Sequence, residues 1–124
     1  MLRARDAMDR GYRDELDIAA LARIAYVSKA HFIRTFRATF GETPHRYLQR
    51  RRVERAMYLL RTTTDPITDI CMAVGFSSLG TFSRTFTEIV GETPTRYRLR
   101  GPLDNVPSCY VKAWIRPSNF GEAP

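Results

Sequence analysis

The hydrophobic positions of this chain follow a helical period almost from its first residue. In "KAHFIRTFRATF" the aromatics Phe32, Phe36 and Phe40 recur every four residues, so they share one face and must be buried. Ser28 stands before this run as an N-cap, and Gly41 stands after it as a left-handed stop. Upstream, "RARDAMDRGY" reads as a short helix ending near Gly11. Asp17 then caps a second one, with Ile18, Leu21, Ala22 and Ala25 on one face. Thr43 and Pro44 open a long helix to about residue 61, with Tyr47, Leu48, Val53, Ala56, Met57, Leu59 and Leu60 at helical spacing. The plan then repeats. Asp65 is expected to cap a helix opened by Pro66 and stopped by Gly75. Ser78 caps "LGTFSRTFTEIV", which turns Phe82, Phe86, Ile89 and Val90 inward, and Gly91 stops it. Thr93 and Pro94 open a last short helix.

The repetition extends to residue identity. Between residues 31–47 and 81–97, ten of seventeen positions are the same, a duplication well beyond chance. The register is 50 residues, and it pairs Ile24 with Val74, Tyr26 with Phe76 and Ser28 with Ser78. Each copy is a helix, a tight turn and a capped second helix, which is the helix-turn-helix arrangement. The expected fold class is therefore all-α: two helix-turn-helix subdomains, homeodomain-like and duplicated, joined by a long linker helix. The units fall at about 17–41 and 66–91, the linker at about 44–61, and the domain spans 1–100. From Gly101 the pattern changes. Residues 101–124 read as an irregular or extended tail in which "SCYVKAWIR" alternates like a strand, expected to pack against the same chain.

Charge narrows the function. The net charge is +7, and eighteen of the twenty basic residues are arginine. An Arg-rich excess suits a polyanion, duplex DNA before a membrane surface, because a guanidinium forks onto phosphates and guanine edges. No apolar run reaches the ~18 residues of a membrane span, so a cytoplasmic location is expected. Cys71 and Cys109 form no CxxC pair, and His31 and His45 lack metal-ligand spacing. No cofactor, metal or catalytic set is expected, and the chain does not read as an enzyme.

The two units, the "GETP" after each second helix, the "RRRVERAMYLL" linker and the "AVGF" before the second turn together resemble the DNA-binding domain of AraC/XylS-type transcription regulators. The resemblance covers about residues 6–100. It implies a regulator, either a short stand-alone member or a fragment of a longer one, whose two recognition helices enter successive major grooves of promoter DNA. It assigns groove contacts to Ala30, Ile33 and Arg34, then to Leu79, Gly80, Thr81 and Arg84. Ser28, Lys29, Arg37 and Ser78 complete the DNA-binding set, with phosphate contacts at Thr43, Arg46, Arg50, Thr93 and Arg96. Of the four arginines Arg50, Arg51, Arg52 and Arg55, one or two are expected at phosphate, against the alternative of a solvated face in which Glu54 pairs with Arg50 or Arg51. Arg34 and Arg84 suit guanine, against the alternative of bracing ion pairs. Ala30, Ile33, Leu79 and Gly80 offer no side-chain hydrogen bond, so the alternative function is a low-specificity architectural DNA binder. Double-stranded DNA is the expected partner, RNA polymerase is a candidate second one, and the state is a monomer or weak dimer.

Overall fold

The computed structural model describes residues 1–101; the strand-like stretch, Cys109 and the rest of the tail lie outside the described residues. Seven helices follow in order: α1 (Leu2–Arg10), α2 (Ile18–Ile24), α3 (Lys29–Phe40), α4 (Pro44–Thr62), α5 (Ile67–Ala73), α6 (Leu79–Val90) and α7 (Pro94–Arg98), with no strand among the described residues. The fold is all-α, two helix-turn-helix units around one linker.

Each unit has its own aromatic core. Phe32, Phe36 and Phe40 of α3 are buried with Ala4, Met8, Leu21, Ala22, Tyr47 and Leu48. Phe82 and Phe86 of α6 are buried with Val53, Met57, Leu60, Ile70, Val74, Phe76 and Tyr97. The copies even repeat a ring contact: Phe36 meets Tyr47 edge-on at 5.6 Å, and Phe86 meets Tyr97 edge-on at 5.7 Å. Linker α4 serves both cores, giving Tyr47 and Leu48 to the first and Val53 to Leu60 to the second. Every phenylalanine of these stripes is core, which removes it from any base-stacking role.

Two expectations about local structure are corrected. Asp65 does not cap α5. Pro66 occupies the N-cap without a side-chain bond, and the Thr63 hydroxyl instead accepts the Asp65 N–H at 3.3 Å. The 50-residue register also fails upstream of the recognition helices. Tyr26 N–H bonds to Arg23 O and Val27 N–H to Ala22 O; Gly75 N–H bonds to Met72 O and Phe76 N–H to Cys71 O. Tyr26 is therefore the counterpart of Gly75, and Val27 of Phe76, an offset of 49. Ser77 is the extra residue of the second turn, and the offset returns to 50 at the caps Ser28 and Ser78. Identity with a one-residue insertion inside a turn looks ungapped from sequence because Tyr26 and Phe76 are both aromatic.

The two units are bolted together where the α1–α2 loop meets the second turn. Arg52 of α4 donates to Tyr12 O and Asp14 O, both at 2.6 Å, and its guanidinium lies 5.9 Å from the Phe76 ring centre. The Tyr12 side chain packs against both cores. A second tie joins α1 to α4: the Tyr47 hydroxyl donates to Asp9 Oδ1 at 2.7 Å, and Arg51 bridges Asp9 and Glu54.

Glu54 is 1% exposed, and one of its oxygens has no hydrogen-bond partner among the described atoms. Burial pushes its carboxyl up to about 9, against the opposing pull of Arg51 and Arg50, and burial also raises Asp9. The folded state thus holds protons that the unfolded chain releases. Stability from this source is complete below the ordinary carboxylate range and declines as pH rises toward about 9. Glu54→Gln is expected to match the parent in thermal unfolding near pH 5 and to exceed it by several degrees near pH 8.5. Parallel pH dependences in the two proteins would contradict this.

Candidate nucleic-acid interface

The N-terminal turns of α3 and α6 are built alike. Ser28 accepts the His31 N–H at 3.2 Å, and Ser78 accepts the Thr81 N–H at 3.1 Å. Each hydroxyl satisfies one amide that the first helical turn leaves open. With the aromatic stripes facing inward, the opposite faces are exposed: Lys29, Ala30, Ile33, Arg34 and Arg37 on α3, and Leu79, Gly80, Thr81 and Arg84 on α6. Arg34 and Arg84 stand at the same register of their helices. Neither makes an ion pair among the described residues, so nothing there holds them as braces. The Ser78 hydroxyl also lies 3.2 Å from Thr81 Oγ1.

Thr43 and Thr93 accept the Arg46 and Arg96 N–H groups, each at 3.2 Å, as N-caps of α4 and α7. Arg46 reaches across the units to Glu88 of α6 at 3.6 Å. Both partners are substantially exposed, so this pair is weak and a phosphate can compete for Arg46. Arg96 is exposed.

Arg50 already has a partner within the fold. Its guanidinium is forked onto both oxygens of Glu42, and the same brace recurs as Arg100 on Glu92 in the second copy. The glutamate of each "GETP" therefore ties the turn after a recognition helix to an arginine eight residues on. Its neighbours behave likewise: Arg51 holds Asp9 and Glu54, and Arg52 holds two carbonyls. Arg55 is exposed and lies 4.8 Å from the Tyr58 ring centre. The arginine run is mostly neither a phosphate comb nor a solvated face but a set of internal ties. The Glu42–Arg50 brace was detectable as a spacing kept in both copies. Asp9, the carbonyls held by Arg52 and the Glu88 partner of Arg46 lie about forty residues from their arginines and left no local signal, whereas Glu54 is only three residues from Arg51.

The remaining chemistry is sparse. Cys71 is buried, and burial raises its thiol above the ordinary range, which makes it a poor nucleophile. No group of three His, Cys, Asp or Glu side chains able to hold a metal occurs among the described residues, and none of their helices is long and apolar enough to cross a membrane.

Comparison with known proteins fits this geometry. A family model described as a helix-turn-helix domain matches residues 21–100. A transcriptional regulator of Chromobacterium violaceum, described as having an AraC-type DNA-binding domain, superposes with a TM-score of 0.74 at 30% identity, over 80% of this chain and 88% of that one. The chain belongs to the AraC-type helix-turn-helix family. A second neighbour is the DNA-binding domain of the global transcriptional factor AdpA, solved with a target DNA (TM-score 0.74, 27% identity, 80% of this chain and 89% of that one). Among curated relatives, the probable transcriptional regulator LumQ of Photobacterium leiognathi is 30% identical over 71 residues, 57% of this chain and 29% of LumQ. The chain spans about a quarter of the length of the curated relatives it matches. What it shares with them is the AraC-type DNA-binding domain of transcription regulators.

Proposed function

We propose that the chain binds promoter DNA sequence-specifically by inserting α3 and α6 into successive major grooves on one face of the duplex. The supporting observation is the matched pair of exposed N-terminal turns carrying Arg34 and Arg84 at one register, on units fastened to a single helix. In this reading Arg34 and Arg84 read guanine, and Thr81 serves a base edge or a thymine methyl. Lys29 and Arg37 meet phosphate, with Thr43, Thr93, Arg96 and, once released by Glu88, Arg46. Ser28 and Ser78 present the helix N-termini to the backbone. RNA polymerase as a second partner, a monomeric or weakly dimeric state and a cytoplasmic location belong to the same proposal.

Ala30, Ile33, Leu79 and Gly80 are exposed yet carry no side-chain donor or acceptor. The code is then short, resting on two arginines, methyl contacts and DNA shape. This observation also supports the second reading, a low-specificity architectural binder. Selection from a random duplex pool separates the two: one enriched motif with two half-sites establishes the first, and no enrichment the second.

Geometry adds an expectation. The nineteen residues of α4 span about 28 Å, whereas one helical turn of B-DNA rises about 34 Å. Seating both units is expected to bend the duplex toward the protein. Circularly permuted probes should migrate differently with bend position, and a straight site with both grooves protected would contradict it.

A further inference from the structure

The imidazole of His31 is unused by the fold. The backbone N–H of this residue donates to the Ser28 hydroxyl at 3.2 Å, but its ring makes no hydrogen bond, ion pair or aromatic contact among the described residues. The side chain is exposed, and it belongs to no metal-ligating group of three among those residues. It lies on α3 three residues before Arg34, one turn back on the same open face, while Phe32 and Phe36 hold the opposite face in the core. The duplication gives the same address on α6 to Thr81, three residues before Arg84. The two side chains are not in the same state. The Thr81 hydroxyl lies 3.2 Å from that of Ser78, so it is engaged by its own helix cap and leaves its methyl for an incoming group. The His31 ring has no such engagement.

We propose that His31 is a further specificity-determining residue, reading a guanine of the first half-site beside the guanine met by Arg34; this rests on the insertion of α3 into a major groove. Three residues of helix rise about 4.5 Å, close to the roughly 3.4 Å between successive bases of a strand, so the two side chains address neighbouring base pairs. Neutral or protonated, an imidazole offers at least one N–H donor. In the major groove guanine presents two acceptors, N7 and O6, whereas adenine sets a donor beside its N7 and cytosine presents only a donor. A ring donor in this row therefore favours guanine. The half-sites then differ: two neighbouring guanines under α3, and a guanine beside a thymine under α6, where Thr81 presents its methyl. Two nearly identical units become distinguishable to the duplex, and the site fixes which way round the protein lies on it.

Selection from a random duplex pool, run in parallel with the parent, His31→Ala and Arg34→Ala, tests this. His31 is exposed and alanine is a strong helix former, so the variant should unfold at the temperature of the parent. The parent should enrich two adjacent guanines in one half-site. His31→Ala should lose preference at one of them alone, and Arg34→Ala at the other. In competition titrations, adenine in place of the His31 guanine should cost the parent about fivefold and His31→Ala nothing. A parent motif that His31→Ala reproduces at every position would overturn the role of His31 and leave α3 in the groove. Equal weakening on all sequences would put His31 at phosphate and overturn it likewise. No motif with the parent would overturn both this assignment and the groove insertion on which it rests.

Discussion

Replacing Arg34 and Arg84 together with alanine is expected to lower affinity for the selected site by about 10³-fold while leaving binding to random duplex within a few-fold of the parent. A bidentate arginine–guanine pair contributes about 1–3 kcal/mol of discrimination, roughly tenfold to a hundredfold. The two side chains belong to separate units with separate cores, so their losses should add. Both are exposed and make no ion pair among the described residues, so truncation leaves the fold intact. Arg37→Ala supplies the contrast. As a phosphate contact it should weaken all sequences alike and reduce the slope of log affinity against log salt by about one. Competition titrations at several salt concentrations read both quantities. If the double variant loses specific and random binding equally, the arginines are positional and the short guanine code is wrong.

What the sequence made legible follows the range of the forces involved. Helices α2, α3, α4 and α6 could be read because their apolar period, caps and glycine stops are local. The two aromatic cores could be read because a stripe of three phenylalanines in α3, or of two followed by Ile89 and Val90 in α6, has only one place to go. Of the ties made by the α4 arginines, only the Arg51–Glu54 pair, three residues apart, was read in the sequence, because a run of like charge shows nothing of its distant partners. Asp9 is 42 residues from Arg51, and the carbonyls held by Arg52 have no side-chain signature at all. The turn was misread for a subtler reason. The duplicated identity begins at the caps, and carrying its register one step upstream matched Tyr26 to Phe76, one side chain 86% exposed and the other buried. Burial, not residue likeness, decides that alignment. The candidate site was legible through its symmetry: equivalent turns of α3 and α6 remain open because equivalent faces are closed.

The corrected register places opposite consequences on one backbone position. Gly75 has φ +102°, and a Cβ there would lie 2.9 Å from Arg13 O and 2.9 Å from Arg52 Nε. The first obstacle is main chain, and the second is a guanidinium already fixed by two carbonyls. Gly75→Ala adds left-handed strain of about 1–2 kcal/mol. It also threatens the Arg52 bonds, where a displaced charged donor costs a further 1–3 kcal/mol or so. A loss near 3 kcal/mol corresponds to a fall in Tm of roughly 12–24 °C for a domain of this size. Its counterpart Tyr26 sits at φ +60°, a region costly for a bulky residue, with its ring in solvent. Tyr26→Asn, which tolerates that region, should therefore raise stability by about 0.5–1 kcal/mol. Thermal unfolding of the two variants checks the pair. Opposite signs confirm that the positions are equivalent and that only the second is clamped against the other unit. A Gly75→Ala protein as stable as the parent would mean that the units are not fastened at this junction, and the rigid spacing that calls for bent DNA would go with it.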